Sequence, residues 1–235
     1  MSRLKVLVLA LFAVLALGVL VASSSASAAG LPSVLPTATT NTTDGTNIGV
    51  SKYTTSKKTK IECEKATGTT EETKSPEALG PFHITFTKCT GEAGGIKGVA
   101  CTGLGDANSG EILVLGEYHL VYDTGEPELG VAILFLVNSL HFTCLGLILN
   151  VVSGEQVCLI KEPYVEKTLH EFTCTPAGEG IQSETYLNDK KEAVTPKLMI
   201  SENEGTPGTA AEEAKGLILW LNAKKESTKT KIDMS

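Results

Sequence analysis

The chain has 235 residues, 42% of them hydrophobic, and a formal net charge of −7. That apolar content is enough to build a core and excludes a disordered chain. Residues 1–28 hold Arg3, Lys5 and no acid; the remainder has 18 basic and 27 acidic residues and no arginine, which argues against nucleic acid or anionic lipid as a partner, because phosphate is read by clustered Lys and Arg.

The first element is a leader. Arg3 and Lys5 form a positive start, residues 6–22 are apolar, and Ala26-Ser27-Ala28 is a small-x-small cleavage signal. Residues 1–28 therefore read as a signal peptide, with an uncleaved anchor as the alternative because the apolar run is somewhat long. Residues 29–57 are rich in Thr, Ser, Gly and Pro and read as a linker, with at most a short edge strand near Ile48 and Tyr53. The triplet Asn41-Thr42-Thr43 has the form of a glycosylation acceptor, a form without weight in a bacterial chain.

A single β-rich domain is expected over residues 58–235. Thr59, Ile61 and Cys63 alternate with Lys60, Glu62 and Glu64, the pattern of a strand with one wet face. Residues 67–81 read as polar loop. Phe82, Ile84 and Phe86 then alternate with His83, Thr85 and Thr87. Residues 91–110 read as a glycine-rich connection. The most apolar stretch beyond the leader, 111–152, reads as three consecutive strands broken at Asp123-Thr124-Gly125 and at Asn138-Ser139. Apolar residues of both parities there predict cover on both faces. A transmembrane helix over 129–152 is the competing reading, opposed by Asn138, Ser139, His141 and Thr143 in its middle. A new strand is expected from Gly154, followed by several short ones, and Thr209 with Glu212 matches a capping box for one short helix. Roughly ten short strands with turn signals between them predict an all-β fold: an antiparallel sandwich or barrel-like domain stapled by disulfides.

The staples would come from Cys63, Cys89, Cys101, Cys144, Cys158 and Cys174. An even count behind an export signal predicts three bridges. The absence of C-x-x-C spacing argues against a zinc ribbon or a redox dithiol. Of the many connectivities, the expected one is Cys89–Cys101 across the glycine-rich stretch and Cys158–Cys174 between neighbouring strands, which leaves Cys63–Cys144. Buried free thiols are the alternative.

Catalytic signals are weak. Asp106, Asn108 and Glu117 are spaced as calcium ligands, but the glycine at Gly110 comes one place early and a strand follows, so a tight turn is the simpler reading. His83, His119, His141 and His170 are scattered without metal-ligand spacing. Glu155, Glu162, Glu166 and Glu171 make a glycosidase pair conceivable, and nothing singles out two of them. There is no nucleophile elbow and no dinucleotide loop, since Gly103-Leu104-Gly105 lacks its third glycine. No cofactor is expected. Trp220, the one tryptophan, sits in an apolar run and reads as core.

The order KIEC at 60–63, FTKC at 86–89, a Gly-rich stretch with a further Cys, GEI-x-x-L from Gly110, FTC at 142–144, GIQSETY at 180–186 and LILW at 217–220 resembles a set of exported all-β proteins of soil actinobacteria. The resemblance implies a secreted sandwich-like domain without an assigned activity. Cys158 departs from that pattern. The leading expectation is a non-enzymatic secreted or cell-envelope module with a binding or structural role toward an extracellular or envelope ligand. The alternatives are a secreted hydrolase with a dispersed Glu/His site and a membrane-anchored envelope protein.

Overall fold

The computed structural model describes residues 32–35, 41–56, 59–73, 79–93, 95–106, 108–124, 130–146, 148–178, 180–188, 191–203, 205–222 and 224–233. The expected signal peptide lies outside the described residues. The described ones form strands and turns. In chain order the strands are β1 Ser33–Leu35, β2 Asn41–Asn47, β3 Ser51–Thr55, β4 Lys60–Thr73, β5 Leu79–Ala93, β6 Ile96–Gly103, β7 Ile112–Asp123, β8 Gly130–Cys144 and β9 Ile148–Ile160. They continue as β10 Leu169–Cys174, β11 Pro176–Gly178, β12 Ile181–Gln182, β13 Tyr186–Leu187, β14 Ala193–Val194, β15 Leu198–Glu202, β16 Gly208–Leu221 and β17 Lys231–Asp233. No described helix is long and apolar enough to cross a membrane; residues 130–144 and 148–152 of the competing helix are strand.

Thirteen of these strands form one antiparallel sheet, and its pairings close on themselves. Five long strands, β4, β5, β8, β9 and β16, each occupy one position of the ring. Three further positions are shared by two short strands placed end to end. β7 and then β6 fill the space between β5 and β8. β15 and β10 fill it between β9 and β16. β2 and β3 fill it between β16 and β4. The result is a barrel of eight strand positions, a closure that removes the exposed ladder edges an open sheet would carry.

Side chains fill the barrel. Phe82 and Phe135 meet edge to face, ring centroids 5.2 Å apart, and Phe172 approaches Phe135 at 6.4 Å. Leu198, Ile200, Phe142 and Trp220 are buried around them. The interior void, lined by Tyr53, Ile61, Phe86, Leu140 and their neighbours, is about 20 Å³, room for roughly one water. A second apolar layer lies outside the wall. Val121, Ala132, Leu134 and Val157 pack under Tyr186 of the small β13–β14 hairpin, so β8 is apolar on both parities because both its faces are covered.

Several expectations are corrected. The linker expected over residues 29–57 contains two strands of the barrel, β2 and β3. Their inward positions are taken by Thr43, Ser51, Tyr53 and Thr55, so the apolar period that marks a strand is missing while the ladder bonds are made. Residues 67–73, expected as loop, extend β4, and the glycine-rich connection contains β6. Asn138-Ser139 is a bulge and not a turn: the β8–β9 register slips between Val137 and Leu140. Gly154 lies inside β9 with φ 111°, and a Cβ there would run into the Lys197 carbonyl oxygen, so this glycine permits a close strand approach and starts nothing. The helix expected at Thr209 is the first part of β16, because strands flank it on both sides and supply the hydrogen bonds a short helix would have to make alone.

The cysteines pair Cys63–Cys89, Cys101–Cys144 and Cys158–Cys174. Only the last agrees with the expected scheme. Cys63 is directly opposite Cys89 on β4 and β5, and Cys101 is directly opposite Cys144 on β6 and β8. The strand register decides the partners, and a register between non-consecutive strands is invisible in cysteine spacing.

Candidate functional site

Among the described residues the interior void holds roughly one water, and a larger space lies on the outer wall. A groove of about 860 Å³ runs there where β2 lies between β4 and β16, lined by Thr42, Asp44, Thr69, Thr70, Leu219 and Lys225, with Pro81, Leu221 and Ser227 at its margin. The volume suits a small molecule or a short polymer segment. Register places the lining. Asp44 is opposite both Thr69 and Leu219, and Thr42 is opposite Leu221. Thr43, opposite the inward Trp220, points inward, where its hydroxyl lies 3.1 Å from that of Thr70, and the β2–β4 register slips beyond it by one residue of β4. The Thr42 hydroxyl is enclosed without a hydrogen-bond partner.

Lys225 is held by the turn after β16. Asn222 N donates to Glu226 O, Lys225 N donates to Asn222 O, and the Asn222 side-chain oxygen accepts from Lys224 N and Glu226 N. Lys225 takes φ 60°. The same turn recurs between β13 and β14: Asn188 N donates to Glu192 O, Lys191 N donates to Asn188 O, and Lys191 takes φ 62°. Both carry the sequence Leu-Asn-x-Lys-Lys-Glu. The second lysine stands where glycine would relieve the left-handed backbone. Lys191→Gly is expected to raise the unfolding free energy by about 0.5–1 kcal/mol in urea titration, the relief of a left-handed residue less the added freedom of the unfolded chain.

The residues singled out from sequence are dispersed. Asp106 Oδ2 accepts from Leu113 N at 3.0 Å and Asn108 donates to the Glu111 carboxylate at 2.6 Å. Glu117 is exposed on β7, opposite Pro81 and Leu136, four residues and on the order of 13 Å beyond Leu113 along the strand. Among the described residues no three His, Cys, Asp or Glu side chains could hold a metal ion. His83 and His141 are exposed, and the His141 ring bonds the Ser139 hydroxyl at 2.8 Å. His119 is partly covered, and burial lowers its pKa. His170 faces the interior, fully buried, where Nδ1 accepts from Trp220 Nε1 at 3.1 Å. That bond requires an unprotonated Nδ1, and burial pushes the ring's pKa below its ordinary value.

Of the four acidic candidates, Glu166 is exposed and the other three have structural partners. Glu162 pairs closely with Lys167, and Glu171 lies 3.8 Å from Lys161. Glu155 accepts from the Tyr186 hydroxyl at 3.2 Å; burial first and this carboxylate second push that phenol up to about 12. Sequence reasoning missed Glu184 and Glu212. Glu184 is buried beside β13, and burial raises its pKa. Glu212 sits at an inward position of β16 opposite Tyr53, and burial pushes its carboxyl up to about 7. The parity of β16, once Gly216, Ile218 and Trp220 are taken as inward, is the signal that could have found Glu212.

Compared with known proteins, the chain matches no family model, no curated protein and no solved structure. The site is therefore read from its own chemistry.

Proposed function

We propose that this chain is an exported, non-enzymatic binding module whose groove between β4 and β16 takes a hydroxyl-rich polymer, a glycan of the cell envelope or its surroundings. The observation that carries the reading is the lining itself. Threonine hydroxyls, one carboxylate (Asp44) and one ammonium (Lys225) converge over an aliphatic floor of Leu219 and Leu221. Such groups exchange hydrogen bonds with sugar hydroxyls in both directions. The floor is aliphatic, so the grip rests on polar contacts and not on stacked rings. Three intramolecular disulfides are the usage of oxidising compartments and support export. The reading agrees with the exported proteins that the sequence motifs resemble.

The test is affinity electrophoresis through soluble glycans, together with co-sedimentation on insoluble cell-wall polysaccharide. Replacing Asp44 by Asn and Thr69 by Val together removes a charged acceptor and a hydroxyl at nearly constant volume. At about 1 kcal/mol for each lost bond, binding is expected to weaken roughly tenfold or more. Equal retention of variant and parent on every retained glycan would remove the groove from the account.

A further inference from the structure

Four of the six cysteines stand in one row across the inner wall. Cys63 on β4 is opposite Cys89 on β5, and Cys101 on β6 is opposite Cys144 on β8. The β5–β6 register sets Thr90 opposite Ala100 and Gly91 opposite Val99, so the next pair in line is Cys89 with Cys101. All four are buried in one cluster. Gly91 leaves the space the row needs: a Cβ there would lie 2.8 Å from the Cys101 sulfur and 3.3 Å from that of Cys144. The middle two cysteines are thus each bonded outward and face each other inward.

We propose that this row is a thiol–disulfide relay, in which opening either outer bridge moves the remaining bridge to Cys89–Cys101. Thiol–disulfide exchange needs a thiolate to reach a disulfide sulfur, and the register sets Cys101 as the cross-strand neighbour of Cys89 within one buried cluster. An external reductant, a thiol or a trialkylphosphine, donates two electrons and two protons arrive from solvent. The Cys101–Cys144 bond breaks and both sulfurs are released as thiols. Cys101 loses its proton and attacks the Cys89 sulfur; the Cys89–Cys101 bond forms, the Cys63–Cys89 bond breaks, and Cys63 leaves as a thiolate that takes up that proton. Two outer staples are then lost for one reduction. β4 and β8 are released from β5 and β6, and the β5–β6 hairpin stays locked. Cys158–Cys174, between β9 and β10, lies outside the row and serves as the internal control.

The exchange half-reaction is tested first, because it needs no reductant. In Cys144→Ser, Cys101 is left as a thiol beside an intact Cys63–Cys89 bridge. After incubation at mildly alkaline pH, acid quench, alkylation and non-reducing peptide mapping, two isomers are expected within about tenfold of each other, one labelled at Cys101 and one at Cys63. A label on Cys101 alone overturns the relay. The parent protein is then titrated with a trialkylphosphine without denaturant. Among species whose row has lost one bridge, label is expected on Cys63 and Cys144 with a Cys89–Cys101 linked peptide. Label found solely as the pairs Cys63 with Cys89 and Cys101 with Cys144, with no Cys89–Cys101 linked peptide, overturns the proposal. So does a row that stays closed until the barrel unfolds.

Discussion

Replacing Gln182 by alanine is expected to lower the unfolding free energy by about 3 kcal/mol, a large share of the stability of a domain this size. The reason lies in how the barrel wall is shared. β15 pairs with β9 over residues 150–154 and β10 pairs with it at 159–160. Between them the edge of β9 has no neighbouring strand. Gln182 fills that break: its Oε1 accepts from Val157 N at 2.9 Å and its Nε2 donates to Glu155 O at 2.6 Å. The amide side chain stands in for one missing peptide of the ladder. Gln182 is only 5% exposed, so truncation strands two enclosed backbone groups, each costing about 1–3 kcal/mol, with part recovered by entering water. Gln182→Leu separates bonding from packing, because it keeps the volume and loses both bonds. If leucine restores the parental midpoint in urea, the amide is not a ladder surrogate. Faster hydrogen exchange at Val157 N is expected in both variants.

The other split positions are closed the same way. Where β2 gives way to β3, the Asn47 side chain accepts from Ala66 N at 2.8 Å and donates to Glu64 O at 3.2 Å on β4. Where β7 gives way to β6, the Thr102 hydroxyl accepts from Gly110 N at 2.9 Å. On the far side of the β15–β10 break, Gln156 Oε1 accepts from Glu212 N at 3.2 Å. Each break has a neutral polar side chain aimed at the backbone, as the satisfaction of buried peptide groups demands.

These stitches explain which parts of the fold were legible. Phe82-Ile84-Phe86 and Ile61-Cys63 announce themselves by alternation, since their inward faces are apolar and their outward faces wet. Asn47, Thr102 and Gln182 do not, because a polar residue that completes a ladder reads in sequence like one in a loop. For the same reason the Thr-rich β2 was expected as linker, and with it the wall of the groove was hidden. The all-β class rests on many local signals. The ring and its disulfide partners rest on register between strands far apart in sequence, such as β6 with β8, which no local pattern encodes. Asp44, Thr69 and Lys225 come together only because β2 inserts between β4 and β16.

Glu212→Gln is expected to stabilise the protein by about 2 kcal/mol at pH 8 and to leave it nearly unchanged at pH 4. Glu212 lies at the β15–β10 break, pointing inward opposite Tyr53, whose own phenol is pushed far up by burial first and by Glu212 second. Burial holds the Glu212 carboxyl at about 7 against an ordinary value of 4.5. Between those values the folded chain binds more protons than the unfolded one, so stability falls as pH rises through this window, and the full cost is present above it. Each unit is worth about 1.4 kcal/mol, reduced here because Glu212 is only partly enclosed by surface area and some solvent screens it. Glutamine keeps the shape, cannot ionise and removes the dependence. His170 works in the opposite sense. Its folded pKa is depressed by burial beside Trp220, so its contribution is present above the ordinary histidine value and lost as pH falls below about 6.5. The two groups therefore act on stability in opposite directions as pH rises. Urea midpoints measured from pH 4 to 9 for parent and Glu212→Gln check both parts. The variant curve should separate from the parent only above about pH 5 and widen to pH 8. A constant offset at every pH would mean that packing, and not ionisation of Glu212 in the barrel wall, sets the difference.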